Sequence, residues 1–183
     1  NFVNNVIYKW VHRSVDGGDY TALYNIINNY YKPGPLTPTD QPVGHRILKP
    51  ESGRSKLGYR TYGRVYAEGN IMDGNDAVTK DNWNGGIQVE DLSNAGIHTD
   101  SMRWHEPHQM PEFPIMTAQK AYDWVLDNVG ANIPKRDIVD QRVVEQVRTG
   151  KVHYDPAADK IDFYQFQHRR LPKDSYKYGI ITD

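Results

Sequence analysis

Three short apolar segments, each interrupted by Asn, limit the fold of this chain more than any other feature. They are Phe2-Val3-Asn4-Asn5-Val6-Ile7-Tyr8, Ile26-Ile27-Asn28-Asn29-Tyr30-Tyr31 and Val65-Tyr66-Ala67-Glu68-Gly69-Asn70-Ile71-Met72. Asn5 and Asn29 are 24 residues apart, which is a spacing typical of repeat proteins, and Asn29 and Asn70 are 41 apart. The intervening stretch is rich in Pro and Gly, so the longer interval indicates an inserted loop near residues 32–60.

Short strands with Asn at a fixed place favour a parallel β-helix, in which each coil stacks on the one before. Asn tolerates the left-handed backbone at a corner, and its amide can hydrogen-bond to the equivalent Asn of the next coil. Two or three copies also fit an ordinary antiparallel sheet with Asn in its turns. Both arrangements remain open from the pattern alone.

Residues 117–150 predict two helices. Thr117 is placed to cap the first helix and Gly130 to end it. The apolar residues between them, at helical spacing, are Ala118, Ala121, Tyr122, Val125, Leu126 and Val129. The second helix begins near Pro134 to Asp137, ends at Thr149-Gly150, and carries Val139, Val143, Val144 and Val147 on one side. The two sets of apolar residues are interpreted as the packing faces of their helices. The chain from Lys151 onward is expected to be extended or loop-like.

Composition excludes several classes of function. The 183 residues hold 22 Lys and Arg against 23 Asp and Glu, so the net charge of −1 disfavours nonspecific binding to nucleic acid or anionic lipid. No apolar run approaches the roughly 20 residues of a membrane span, and the first residues lack a signal-peptide pattern. With no Cys, disulfides, thiolate zinc sites and cysteine nucleophiles are excluded. The 13 Tyr suit either a sugar-binding surface or half-buried strand positions.

Several of these segments resemble a known family. The residues concerned are Asn4-Asn5-Val6-Ile7-Tyr8, Tyr24-Asn25-Ile26-Ile27-Asn28-Asn29-Tyr30-Tyr31-Lys32-Pro33-Gly34-Pro35 and Val65-Tyr66-Ala67-Glu68-Gly69-Asn70. They resemble the later coils of bacterial pectate lyase-like proteins of polysaccharide lyase family one. The stretch from Ala121-Tyr122 to Gly130-Ala131, followed by Pro134-Lys135-Arg136-Asp137-Ile138-Val139-Asp140-Gln141-Arg142-Val143-Val144, is similar to the helical tail of that group.

The resemblance implies a mainly β fold, a right-handed parallel β-helix with long loops and a short helical carboxy-terminal segment. Residues 1–115 would form late coils, with the insertion near 32–60, and residues 116–183 a helical and extended tail packed on them. The protein would be secreted, periplasmic or on the cell surface of a bacterium. Its partners would be pectate or polygalacturonate and the upstream part of the same protein, with no nucleic acid and no membrane span.

The activity implied by the resemblance is calcium-dependent β-elimination. A uronate C5 proton next to a carboxylate is poorly acidic, so Ca²⁺ is needed to stabilise the intermediate, and the family's base is an Arg. The resemblance places this base and the calcium-binding carboxylates before Asn1, so no catalytic residue is assigned and the chain alone is expected to be inactive. The absence of an initiator Met is interpreted as truncation. Alternatives are a noncatalytic carbohydrate-binding module and a structural solenoid.

Candidate substrate-binding residues follow the first two Asn segments. Cations there could contact uronate carboxylates, and an aromatic ring could stack on a sugar. The candidates are Lys9, Trp10, Arg13, Tyr31 and Lys32, with His12 beside them. A second cationic cluster comprises Arg46, Lys49, Arg54, Lys56 and Arg60. Solvated turn residues are the alternative interpretation for both groups. In the family the turn after the first strand reads Tyr-Asn-Trp-Gly, whereas this chain has Tyr8-Lys9-Trp10-Val11.

The histidines at positions 98, 105 and 108 have the residue type for a transition-metal site. The spacing from His105 to His108 matches no known zinc pattern, so an exposed polar loop is the favoured interpretation and no metal ligand is assigned.

Overall fold

A computed structural model describes residues 1–51, 62–89 and 101–151, all of which lie within the unit Asn1–Lys151. The strands are β1 (Phe2–Val3), β2 (Val6–Tyr8), β3 (Leu23–Ile27), β4 (Tyr30–Lys32), β5 (Arg64–Glu68) and β6 (Ile71–Met72). The helices are α1 (Asp76–Lys80), α2 (Ala118–Asn128) and α3 (Ile138–Thr149), and Pro42–His45 forms a 3-10 helix.

The strands form two parallel sheets with orders β1-β3-β5 and β2-β4-β6. Phe2 pairs with Ile26 and Ile26 with Ala67, while Ile7 pairs with Tyr31 and Tyr31 with Met72. The three Asn-containing segments of the sequence therefore lie side by side in register, and each contributes one strand to each sheet.

The turn between the two strands of each segment has a left-handed residue followed by a hydrogen-bonded Asn. Asn4, Asn28 and Gly69 have φ of 56°, 51° and 68°, a region that Asn and Gly enter at lower cost than other residues. The next residue in each turn, Asn5, Asn29 or Asn70, belongs to a row of stacked amides that we call the Asn ladder. Asn82, in the turn after α1, extends this ladder at one end.

The main core lies between the two sheets and the segment that follows the 3-10 helix. Ile26, Tyr31, Val65 and Met72 supply the strand side chains, and Ile47 and Leu48 supply the other side. The predicted insertion near 32–60 thus contributes buried residues in its described part, and Leu48 forms a parallel bridge with Ile87. Such burial stabilises the fold because each large apolar side chain contributes roughly 1.5–3 kcal/mol when removed from water.

The two predicted helices are present. Thr117 accepts a hydrogen bond from the Lys120 N–H at the start of α2, and Asp137 accepts two at the start of α3. Gly150, with φ of 69°, ends α3. Of the four valines predicted on one packing face of α3, Val144 and Val147 are buried, whereas Val139 and Val143 are exposed.

The expected β-helix is wrong. The described residues contain two small three-stranded parallel sheets and three helices, and no closed or solenoid sheet, which makes this a small mixed α/β unit. The physical reason is the shortness of the strands and the helical character of the later chain. The strands are only two to five residues long, and the elements described after Met72 are helices of 5, 11 and 12 residues.

None of the helices in the described ranges has the length and apolar composition to cross a bilayer. The predicted extended tail after Lys151 lies outside the described residues.

Candidate functional site

Two of the five candidate substrate-binding residues lie in the core. Trp10 is 5% exposed and Tyr31 is 0% exposed, and their rings contact edge to face with centroids 6.1 Å apart. The Trp10 indole donates to the Val43 carbonyl at 2.7 Å, and burial raises the pKa of the Tyr31 phenol. Neither ring presents a face on which a sugar could stack in this structure.

Lys32 and Lys9 contact other parts of the protein. The Lys32 ammonium donates to the Tyr122 hydroxyl at 3.2 Å and to the Arg148 carbonyl at 3.1 Å, and it lies 5.4 Å from the Tyr122 ring centroid. Lys32 therefore connects β4 to α2 and α3. Lys9 is half-buried, has φ of 56°, and lies so close to Gly34 that an added Cβ there would be 2.7 Å from the Lys9 Cβ.

Arg13 is exposed and lies beside part of the second cationic cluster. It lines a small pocket together with Arg46 and Lys49, so one member of the first candidate group meets two of the second. Arg54, Lys56 and Arg60 lie outside the described residues.

A larger cleft, of about 370 Å³, opens between three separate segments of the chain. Tyr66 and Glu68 come from β5, Lys80 from the end of α1, and Asp81 and Trp83 from the turn after that helix. Arg103, Trp104 and His105 form the third wall. A volume of this size is within the usual range for small-molecule sites, and we call it the Trp83–Trp104 cleft.

Each of the two tryptophans in the cleft is paired with an arginine. The Arg103 guanidinium lies 5.4 Å from the Trp83 ring centroid, and Arg64 lies 5.2 Å from that of Trp104. Trp104 also stacks on His108, with centroids 5.3 Å apart and planes 24° apart, yet remains 41% exposed. Cation–π contacts of this kind contribute about 0.5–1 kcal/mol each at exposed sites.

Charges of both signs line the Trp83–Trp104 cleft. Arg103 forms an ion pair with Asp81 at 3.7 Å, and Lys80 is exposed. The Tyr66 hydroxyl donates to the Glu68 carboxylate; this hydrogen bond, with burial and the Glu68 charge, raises the pKa of Tyr66 to about 12. The cleft can therefore donate hydrogen bonds from cations and accept them at carboxylates.

The walls of the cleft are positioned by backbone and amide hydrogen bonds. The Val65 N–H donates to the Met102 carbonyl and the Trp104 N–H donates to the Val65 carbonyl, both at 2.8 Å, which aligns residues 102–104 with β5. Asn82 accepts from the Asn70 N–H at 3.1 Å and donates to the Val78 carbonyl at 2.8 Å. The turn carrying Trp83 is thus attached to the end of the Asn ladder.

No group of three or more acidic or histidine side chains converges as a metal site within the described ranges. Of the three histidines considered from the sequence, His105 lines the cleft, and the His108 ring hydrogen-bonds with the Arg64 carbonyl at 3.1 Å. His98 lies outside the described residues. Among the residues that the structure describes, no cluster of carboxylates fits the oxygen-rich cage that Ca²⁺ requires.

Sequence reasoning did not identify Lys80, Asp81, Trp83 or Arg103 as site residues. They lie outside the three Asn-containing segments and share no motif with β5. The only signal was compositional, namely that aromatic residues with polar edges suit saccharides. Which aromatic residues remain exposed depended on contacts between distant segments.

The chain matches no protein-family model, and no curated protein gives a significant match. The family resemblance therefore has only the quoted residues as its support.

Proposed function

We propose that the chain binds an acidic polysaccharide, polygalacturonate, in the Trp83–Trp104 cleft, as the substrate-holding part of a pectate lyase-like protein. The observation that carries this proposal is that two indole rings, Trp83 and Trp104, lie on the walls of one cleft, each in contact with a guanidinium, and that one of these cations, Arg103, also lines the cleft. Each pair combines an apolar face with a cation, and a uronate ring needs both.

The aromatic component would bind the sugar ring. A pyranose has faces of C–H groups and a rim of hydroxyls, and an indole offers a flat apolar surface for the former. Trp104 has 41% of its surface exposed, so part of its ring stays accessible beside His108 and Arg64, which both contact it. Glu68 and Asp81 can accept hydrogen bonds from the sugar hydroxyls.

The cationic component would select an acidic sugar over a neutral one. A guanidinium binds a carboxylate through two parallel hydrogen bonds, and Lys80 adds a second positive charge at the cleft. Because the Asp81 and Glu68 carboxylates repel an anion, the expected selectivity depends on Arg103 and Lys80, and added salt should weaken binding.

The catalytic part of the proposal rests on the family resemblance. That resemblance implies polymer cleavage by β-elimination, for which a bound calcium ion would supply positive charge next to the uronate carboxylate, and no described residue is assigned to hold such an ion. No described residue is assigned as the base, so we expect this chain alone to bind polygalacturonate without forming unsaturated product when Ca²⁺ is present.

The test is calorimetric titration of the chain with defined oligogalacturonates, comparing Trp104→Ala and Arg103→Gln with the parent. Each substitution is expected to weaken binding by about tenfold, since it removes a stacked ring or a charge-assisted hydrogen bond worth roughly 1–2 kcal/mol. Trp124→Ala is the matched control, because Trp124 is exposed on α2 and does not line the cleft. It should bind as the parent does.

Absence of binding, or equal loss in Trp124→Ala, would contradict the proposal. Equal affinity for neutral galactan would remove the acidic selectivity and favour a general carbohydrate-binding module. Ultraviolet absorbance at the unsaturated uronate band, followed with calcium, measures turnover in parallel. Product formation by this chain would contradict the expectation that it binds without cleaving.

A further inference from the structure

We propose that a second, smaller pocket, between Arg13 and Arg46, binds a single carboxylate group. This Arg13–Arg46 pocket, of about 80 Å³, is lined by side chains that include His12, Arg13, Arg46, Lys49 and Glu51. None of these residues lines the Trp83–Trp104 cleft, so the pocket is a separate site.

The pocket is held in shape by contacts between two chain segments. The Ser14 hydroxyl shares its one hydrogen between the Arg46 and Ile47 carbonyls, at 2.8 and 2.9 Å, and the Glu51 N–H donates to the Gly17 carbonyl at 3.3 Å. A Cβ at Gly17 would lie 2.0 Å from the Lys49 carbonyl oxygen, so only glycine permits this approach. The cationic side chains are therefore carried on a fixed backbone.

A hydrogen bond from one edge of the Arg46 guanidinium orients this side chain. Its Nε donates to the Gln88 side-chain oxygen at 2.6 Å, and Gln88 in turn donates to the Pro42 and Gly85 carbonyls at 2.5 and 2.9 Å. Within the described residues, the two terminal nitrogens of Arg46 donate to no protein acceptor. Arg46 is half-buried, and as far as the structure describes the chain, its terminal donors are placed to bind a ligand.

The two arginines of the pocket differ in their described carboxylate partners. The Arg13 guanidinium lies 3.0 Å from the Asp16 carboxylate and 3.6 Å from the carboxylate of Glu51, which also lines the pocket, while Arg46 has no carboxylate partner among the described residues. Burial lowers the pKa of Arg46, and the nearby Arg13 charge lowers it further. A bound monoanion would offset this repulsion, and a carboxylate fits the paired donors of a guanidinium.

The carboxylate could be free or could belong to a uronate residue of the polysaccharide. Acetate and D-galacturonate are therefore both used as probes. Only the choice of galacturonate depends on the proposed function; the choice of acetate does not. D-galactose, which lacks the carboxylate, is the matched neutral ligand.

The experiment is a titration followed by NMR of the arginine Nε–H signals. Acetate or galacturonate should shift the Arg46 and Arg13 signals saturably, and galactose should not. Arg46→Gln and Arg13→Gln should each weaken binding by about tenfold. Arg46→Lys, which keeps the charge but loses the paired donors, should weaken it less. Arg142→Gln on the exposed face of α3 should titrate as the parent.

Three results would overturn the proposal. The first is the lack of a saturable shift with either carboxylate. The second is unchanged affinity in Arg46→Gln and Arg13→Gln variants whose spectra show the parent fold. The third is loss of the shift in Trp104→Ala, which would place the carboxylate in the larger cleft. Retained binding in Trp104→Ala, even where that variant no longer binds oligogalacturonate, would separate this pocket from the proposed function.

Discussion

Tyr66 and Glu68 form a hydrogen-bonded pair at the wall of the larger cleft. The carboxylate stabilises the neutral phenol, and this raises the Tyr66 pKa from its ordinary value of 10.0 to about 12. Because the folded-state pKa is above the unfolded one, the stabilising contribution is fully present below about pH 10. It is lost as the pH rises through about 12.

We therefore expect Glu68→Gln to lower the pKa of Tyr66, since the hydrogen bond to Glu68 is the largest cause of the shift. Ultraviolet titration of tyrosinate absorbance measures this directly, with Tyr66→Phe identifying the contribution of Tyr66 among the 13 tyrosines. If the difference between the parent and Tyr66→Phe titrates at the ordinary value, the pair is not formed in solution.

The Asn ladder joins the turns of consecutive strand pairs. The Asn5 N–H and side-chain amide donate to the Asn29 side-chain oxygen at 2.9 and 3.0 Å. In the same way, the Asn29 N–H donates to the Asn70 side-chain oxygen at 2.9 Å. Asn29 is fully buried, and its amide also donates to the Phe2 carbonyl at 2.8 Å. A buried amide whose donors and acceptor are all hydrogen-bonded stabilises the elements that it joins. Its removal lowers the stability because the groups that it paired are left buried without partners.

Asn29→Ala should lower the free energy of unfolding by about 2–4 kcal/mol, because it leaves the Asn5 and Phe2 backbone groups without partners. Urea denaturation followed by circular dichroism measures the change. Asn84→Ala, at an exposed position, is the control and should differ from the parent by less than about 0.5 kcal/mol. Equal effects of the two substitutions would show that the ladder does not stabilise the turns.

The carboxy-terminal helices and the second sheet are connected by a satellite cluster. Leu126 of α2 packs with Val144 and Val147 of α3, and Val6 and Tyr8 of β2 lie against them. Tyr122 adds a ring contact with Tyr30, with centroids 4.4 Å apart. The helices are thus attached to the sheets through side chains that are far apart in the sequence.

Leu126→Ala should lower the free energy of unfolding by about 2–5 kcal/mol, because Leu126 is 2% exposed and its loss leaves a cavity between helices and sheet. The thermal unfolding midpoints measured by far-ultraviolet circular dichroism and by tyrosine absorbance should fall by the same amount. Val139→Ala, at a position 52% exposed on α3, should have a small effect. Separate transitions for the two signals would show that helices and sheets are not one cooperative unit.

Local sequence signals by themselves determined α2, α3 and the turns of the Asn-containing segments, whereas α1 was not predicted. Thr117, Asp137 and Gly150 act within one turn of their helices, and the left-handed turn residues Asn4 and Asn28 act on their own backbone. Such preferences depend on only a few neighbouring residues, so they can be predicted from the sequence when the tertiary structure is not known.

Tertiary structure alone decided the fold class and the accessible sites. Aromatic residues of similar type differ in burial. Trp10 and Tyr31 were expected at a surface and are buried, whereas Trp104 is exposed. The repeated segments favoured a β-helix or an antiparallel sheet and the family resemblance implied a β-helix, but packing of α2 and α3 against short sheets gave a mixed α/β unit. Burial and cleft formation depend on contacts between residues distant in the chain, and no local pattern encodes those contacts.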